Sequence, residues 1–142
     1  GYSVDQLDEL LNKRSGLVGL AGSNDMRDVR AAADAGSTPA RLALDVYARR
    51  IRHYVGAYLV ELGAADALVF TAGVGENHAP LRAEVCAGLE WLGIEIDTAR
   101  NASLKSGPRR ISTDASRVQV LVVPTDEEAE IARQTLHLVS SD

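Results

Sequence analysis

The sequence predicts an α/β layered fold with at least part of its sheet parallel, on three observations. An apolar run over Ala67–Thr71 stops at Gly73 and Gly75, and an amphipathic helix pattern follows. A second apolar run, Val118–Val123, ends at Pro124 and leads into another helix pattern. A long helical repeat from about Pro39 to Leu62 precedes both, and alternation of strand and helix is what builds layered sheets with parallel neighbours.

Taken in order, Ser3–Arg14 reads as a helix with Leu7, Leu10 and Leu11 on one face, opened by a Ser3-x-x-Gln6 capping box and stopped at Ser15-Gly16. Leu17–Gly22 reads as a glycine-interrupted apolar loop. Ser23, Asn24 and Asp25 are good N-caps for a helix over Met26–Ala33 that Gly36 closes. Thr38-Pro39 then restarts the chain as cap and first-turn proline. Leu44, Tyr47, Ile51, Tyr54, Val55, Tyr58 and Leu62 recur at helical spacing, a core or subunit-packing stripe, while Arg41, Asp45, Arg49, Arg52 and His53 fall on solvated faces.

Gly63 ends that helix, and the apolar run after it has the composition of a strand buried on both faces. After the glycine turn, with Asn77 or Ala79 as cap, Leu81, Val85, Leu89 and Leu92 mark a helix of some fourteen residues from about Pro80 to Gly93. Ile94–Ile96 alternates like a brief strand, Asp97–Gly107 is polar connection, and Arg110–Ser112 reads as an edge strand. The last helix is opened by Thr125-x-x-Glu128, a second capping box, and carries Ile131, Ala132, Thr135 and Leu138.

With 142 residues, 46% of them hydrophobic, the chain has the size and apolar content of one domain with a real core. The formal charge of −5 is interspersed, with no basic stripe for nucleic acid or for an anionic membrane. The lone Cys86 excludes an internal disulfide and a cysteine-rich zinc site, and its place on an apolar helix face reads as a small buried hydrophobe. No apolar run approaches the roughly 18 residues of a membrane span, and the first residues lack a signal-peptide pattern, so the cytoplasm is the expected compartment. Gly1 stands first with no Met, and a helix cap follows at once, which reads as the middle of a longer protein.

The chemistry centres on Gly73-Val74-Gly75-Glu76-Asn77. A strand that enters a glycine turn and then a helix brings backbone amides together where anions are favoured, and the glycines would supply φ freedom and a bare backbone. It is neither a P-loop, which requires Gly-Lys-Ser/Thr, nor a dinucleotide fingerprint, whose third small residue is replaced by His78. As a bare pattern it remains open between a ligand loop and a structural turn. Asp126 and Glu127 offer a second site: carboxylates in a first helical turn suit the helix dipole, and equally suit a divalent cation bound to phosphates.

Three stretches in this order, Ser23-Asn-Asp-Met-Arg-Asp28, Val69-Phe-Thr-Ala-Gly-Val-Gly-Glu-Asn77 and Val123-Pro-Thr-Asp-Glu-Glu128, together with Leu89–Ile94 and Ile131-Ala-Arg133, closely resemble the C-terminal part of the acetokinase family over nearly the whole chain. The resemblance implies part of an actin-like ATPase (ribonuclease H-like) domain of the acetate and sugar kinase superfamily. It also implies ATP + acetate ⇌ ADP + acetyl phosphate with Mg²⁺ (or Mn²⁺), in a cytoplasmic homodimer. Carried over by position, Asp25, Met26 and Arg27 would belong to the adenine and ribose pocket; Gly73, Val74, Gly75, Glu76 and Asn77 would embrace the nucleoside; Glu127 would be the metal ligand. Asp126 stands where Asn is common in the family, and Met26 where Phe is common. The family's phosphoryl-stabilising arginines and histidine lie in an N-terminal half that should precede Gly1, so no catalytic residue is expected in this chain, and alone it should not turn over. A propionate or butyrate kinase of the same family, or a non-catalytic nucleotide-binding or dimerisation module, are the alternatives.

Overall fold

The computed structural model describes residues 1–140, which divide into two compact units, Gly1–Ala64 and the chain from Ala65 onward. The first unit is helical: α1 (Val4–Lys13), α2 (Leu17–Ala21), α3 (Met26–Asp34) and α4 (Thr38–Leu62). Ser3 and Gln6 form the expected reciprocal capping box on α1. The segment expected as a loop at Leu17–Gly22 instead makes the single-turn helix α2, closed by Gly22 at φ 79. Of the three N-cap candidates before α3, it is Asp25 that caps, its carboxylate accepting from the Arg27 amide.

α4 opens at Ser37, whose hydroxyl accepts from the Ala40 amide, and closes at Gly63, in the left-handed region at φ 70. α2 and α3 pack on it, and Met26, Val29, Ala33, Ala40, Ala43, Leu44 and Ala48 are buried. Small alanines let α3 and α4 approach closely. The stripe read from the sequence is core only at its start: Leu44 is buried, whereas Tyr54, Tyr58 and Leu62 are 47%, 63% and 68% exposed.

The second unit carries β1 (Ala67–Phe70), α5 (Ala72–Asn77), α6 (Ala79–Cys86), a 3₁₀ turn (Glu90–Leu92), α7 (Thr98–Ala102), β2 (Arg109–Arg110), β3 (Gln119–Val122) and α8 (Glu127–Val139). The sheet order is β1-β3-β2, with β1 parallel to β3 and β2 antiparallel to it. Parallel pairing is in register, Ala67 opposite Gln119 and Phe70 opposite Val122. Leu81, Val85, Cys86, Leu89, Ile94, Ile111, Val118, Val120 and Val122 are buried here. Cys86 is thus the buried thiol expected.

Several expectations are corrected. β1 is an edge strand rather than one buried on both faces: Val69 is half exposed. The fourteen-residue helix breaks, because Ala87 turns extended (ψ 129) and Gly88 takes φ 69, leaving α6 and the separate 3₁₀ turn. Ile94–Ile96 contributes only one bridge, Ile96 to Ser112. The polar connection holds α7, which Asp97 caps by accepting from the Arg100 amide. At α6 the cap is neither Asn77 nor Ala79 but His78, whose Nδ1 accepts from the Leu81 amide. The second capping box is absent: Asp126, not Thr125, caps α8, accepting from the Ala129 amide at 3.0 Å.

Candidate functional site

Because Phe70 and Val122 are paired neighbours on parallel strands, the segments that follow them, 71–77 and 123–127, emerge side by side at the carboxyl edge of the sheet. That edge is where open α/β sheets place ligands. The Val123 amide donates to the Phe70 carbonyl at 2.9 Å and extends the pairing one step past the strands. Glu76 then ties the two segments directly: its Oε1 accepts from the Thr125 amide at 2.9 Å and from the Thr125 hydroxyl at 3.1 Å. Thr125 is thereby spent on α5 rather than on its own helix.

The glycine segment is a short helix, and its geometry differs from the expectation of flexible φ at Gly73 and Gly75. Neither has a positive φ; the left-handed residue is Ala72, at φ 59. An L-residue there costs of the order of 1 kcal/mol, and such strain concentrates at ligand-binding turns. Nothing in the sequence distinguishes Ala72 from any other small residue. The bare backbone has two uses. A Cβ at Gly73 would meet nothing within 4 Å, so that face of α5 is open. A Cβ at Gly75 would lie 3.3 Å from the Phe70 carbonyl carbon, so Gly75 is what lets α5 fold back on the end of β1. Asn77 donates from Nδ2 to the Gly73 carbonyl at 2.9 Å and buckles the single turn across its length. The side chain of Thr71 makes no capping bond to α5.

Arg82 holds the far end of this turn. It is 2% exposed, and its guanidinium donates to the carbonyls of Gly75 (2.8 Å), Glu76 (2.9 Å) and Asn101 (2.9 Å) and to the Asn101 Oδ1 (2.8 Å). Burial, and then the neighbouring Arg109 charge, push its pKa below the ordinary arginine value. Arg82 was passed over in the sequence, where its signal is a cation at helical spacing within the apolar stripe that also carries Val85, Cys86 and Leu89.

Glu127 opens α8, exposed and next to the cap Asp126. No group of three or more His, Cys, Asp or Glu able to hold a metal by themselves occurs among the described residues. Mg²⁺ on a nucleotide takes one or two carboxylates and completes its shell with phosphate oxygens and water. Glu127 fits that donor set.

Asp25, Met26 and Arg27 lie in the other unit. Met26 is 7% exposed and turned into the helical core, while Arg27 is spread on the surface. Arg27 Nε and Nη2 both reach the Asp25 carboxylate, at 3.0 and 2.5 Å, and the Arg27 amide donates to it at 2.8 Å. This guanidinium, more than any other cause, holds the Asp25 pKa down to about 2. The carboxylate of an unfolded chain titrates near ~3.9, so the cap and pair stabilise α3 fully above that pH and are lost as the pH falls to about 2. An NMR titration of the Asp25 carboxyl carbon is expected to show ionisation persisting through that window. Arg27→Gln should return the midpoint towards ~4.

Residues 1–133 match the profile described as the Acetokinase family. The chain is 59% identical over 141 residues to the acetate kinase of Leifsonia xyli subsp. xyli, covering 99% of this chain and 36% of that protein. Among solved structures, it superimposes on the acetate kinase of Porphyromonas gingivalis with a TM-score of 0.87 at 42% identity, over 98% of this chain and 35% of that one. A propionate kinase from Francisella tularensis subsp. tularensis SCHU S4 matches with a TM-score of 0.80 at 38% identity, over 90% of this chain and 32% of that one. The chain thus spans about a third of the length of the curated relatives it matches. With the α/β architecture expected for the acetate and sugar kinase superfamily in place, the chain belongs to the acetokinase family.

Proposed function

We propose that this chain is the nucleotide- and metal-holding C-terminal portion of a kinase that transfers the γ-phosphoryl group of ATP to acetate. The observation that carries the reading is the Glu76 to Thr125 tie, which fixes the glycine turn of α5 against the segment that presents Glu127. In this proposal, Gly73 offers bare backbone to the nucleoside and Asn77 stiffens the turn beneath it. Asp25, Met26 and Arg27 contribute to the base and ribose pocket, and Glu127 holds Mg²⁺. The metal, when bound, neutralises charge developing on the phosphates. Glu127 orients it, and Glu76, by fixing Thr125, positions Glu127.

Phosphoryl transfer depends on positioning and on cationic stabilisation of the transition state. The groups that supply the latter, and the acyl pocket, are assigned to a preceding half of a longer parent chain. Closure of the two halves would exclude water and limit hydrolysis of ATP. The proposal includes a cytoplasmic enzyme and a homodimer built in part on the exposed Tyr54 and Tyr58 face of α4. Among the described residues, no helix is long and apolar enough to cross a membrane.

A second reading, propionate kinase, is favoured by the Francisella likeness alone. The intact protein is therefore assayed for ATP-dependent phosphorylation of acetate, propionate and butyrate. The highest kcat/KM is expected for acetate; absence of phosphorylation of any short carboxylate overturns the family activity for this chain. In the same assay Glu127→Gln is expected to weaken Mg²⁺ dependence of nucleotide binding by on the order of tenfold. Unchanged Mg²⁺ affinity would remove Glu127 from the metal.

A further inference from the structure

Beside the last turn of α5 lies a cavity of about 410 Å³, lined by Asn77, Arg82, Asn101, Lys105, Arg109 and Pro124 among others. Its charge is unbalanced. Arg82 and Arg109 both donate to one neutral acceptor, the Glu76 carbonyl, at 2.9 and 3.3 Å. All four bonds of the Arg82 guanidinium go to uncharged carbonyl oxygens. Among the described residues neither guanidinium makes an ion pair. Glu76 is the one acid on the wall, and its carboxylate is already taken by Thr125. The Arg109 Nε is buried with no hydrogen-bond partner.

A buried cation beside a half-buried one, with no counter-ion for either, is costly, and the unpartnered Nε of Arg109 adds the desolvation penalty of a charged donor. A bound anion would offset the uncompensated charge, because a guanidinium binds oxyanions through N–H donors in a fixed plane. The cavity has room for a phosphate-sized or small polycarboxylate ion with its waters, given the ~30 Å³ share of one water. Lys105, exposed on the loop that follows α7, supplies a third charge at the rim.

We propose that this cavity is an oxyanion site, in which inorganic phosphate or a small polycarboxylate binds between Arg109, Arg82 and Lys105 and braces the end of α5 through the shared Glu76 carbonyl. It is formed wholly within the second unit and does not require the kinase reading. Because Glu76 also anchors Thr125, occupancy stiffens both segments at the sheet edge.

The test is calorimetric titration of the intact protein at constant ionic strength, with inorganic phosphate and separately with citrate, each with and without saturating Mg·ADP. Binding is expected to persist when nucleotide is saturating. It should weaken about tenfold in Arg109→Gln, the loss of a charge-assisted bond, and about threefold in Lys105→Gln. Whichever ion binds more tightly identifies the class. Lys105 is solvent-exposed, so its variant reports on the site even if Arg109→Gln folds poorly. Phosphate is also expected to raise the unfolding midpoint of the wild type more than that of either variant. Binding abolished by nucleotide, affinity indifferent to both substitutions, or no heat from either ion at millimolar concentration overturns the proposal. None of these outcomes depends on whether acetate is phosphorylated.

Discussion

Arg82→Leu is expected to destabilise the protein by about 3 kcal/mol, although leucine is the more natural occupant of a buried helix position. The substitution removes the cost of burying a cation beside Arg109, which works in its favour. Against that, it strands the carbonyls of Gly75 and Asn101 and the Asn101 Oδ1, which Arg82 satisfies at 2.8 to 2.9 Å, and leaves the Glu76 carbonyl with only the 3.3 Å bond from Arg109. Each buried acceptor left without a donor costs about 1–3 kcal/mol, and several do so together, so the penalty outweighs the relief. Arg82→Lys should recover little, because a compact ammonium cannot span four acceptors arranged around a planar fork. Urea unfolding of the intact protein, with amide exchange at residues 75–77, checks both. Exchange there should accelerate in the leucine variant before global unfolding, since Arg82 holds the carbonyls of Gly75 and Glu76 in the last turn of α5. A loss well below 1 kcal/mol would show that water replaces the guanidinium without difficulty.

The layered architecture was legible because each signal was local. An apolar run, a proline stop at Pro124 and a helical repeat at Leu81, Val85 and Leu89 name their elements without reference to anything distant. Parallel pairing of β1 with β3 follows from the same alternation. What escaped were features fixed by partners far along the chain. Thr125 has the right spacing to cap α8 with Glu128, yet it is drawn off by Glu76, 49 residues earlier, and the neighbouring Asp126 takes over the cap. The break after Cys86 depends on Gly88 adopting φ 69, which its sequence neighbours permit but do not demand. The half-exposed Val69 shows the limit of composition: an apolar edge strand and a central strand read alike.

At the candidate site, residue identity was legible and the reason for it was not. Gly73 and Gly75 were recognisable as a turn that brings backbone close to something. The positive φ falls instead on Ala72, and the two glycines serve opposite surfaces of the turn: Gly73 faces open space and Gly75 faces the Phe70 backbone. Asp126 caps α8 by accepting from the Ala129 amide, a role that an Asn side-chain oxygen would fill equally.

That division of labour gives the second large effect: Gly75→Val is expected to cost roughly 2–3 kcal/mol, whereas Gly73→Ala should be neutral or stabilising. A Cβ at Gly75 would sit 3.3 Å from the Phe70 carbonyl carbon and 3.5 Å from its Cβ. Phe70 cannot retreat freely, because its carbonyl accepts from the Val123 amide at 2.9 Å and its side chain is 8% exposed. Alanine asks for a shift of a few tenths of an ångström and recovers part of the cost through its better helix propensity. Valine adds two methyl groups with nowhere to go and loses χ1 freedom in the helix. At Gly73 the same reasoning reverses sign, since nothing lies within 4 Å and alanine gains up to about 1 kcal/mol of propensity. If the bare backbone of Gly73 is the surface that the nucleoside approaches, Gly73→Ala should raise the unfolding midpoint and at the same time weaken ADP binding by about tenfold or more. Thermal unfolding and ADP titration on the two variants then separate the roles. Stability lost at Gly75 and affinity lost at Gly73 is the expected pattern, whereas unimpaired ADP affinity in Gly73→Ala would move the nucleoside off this face of α5.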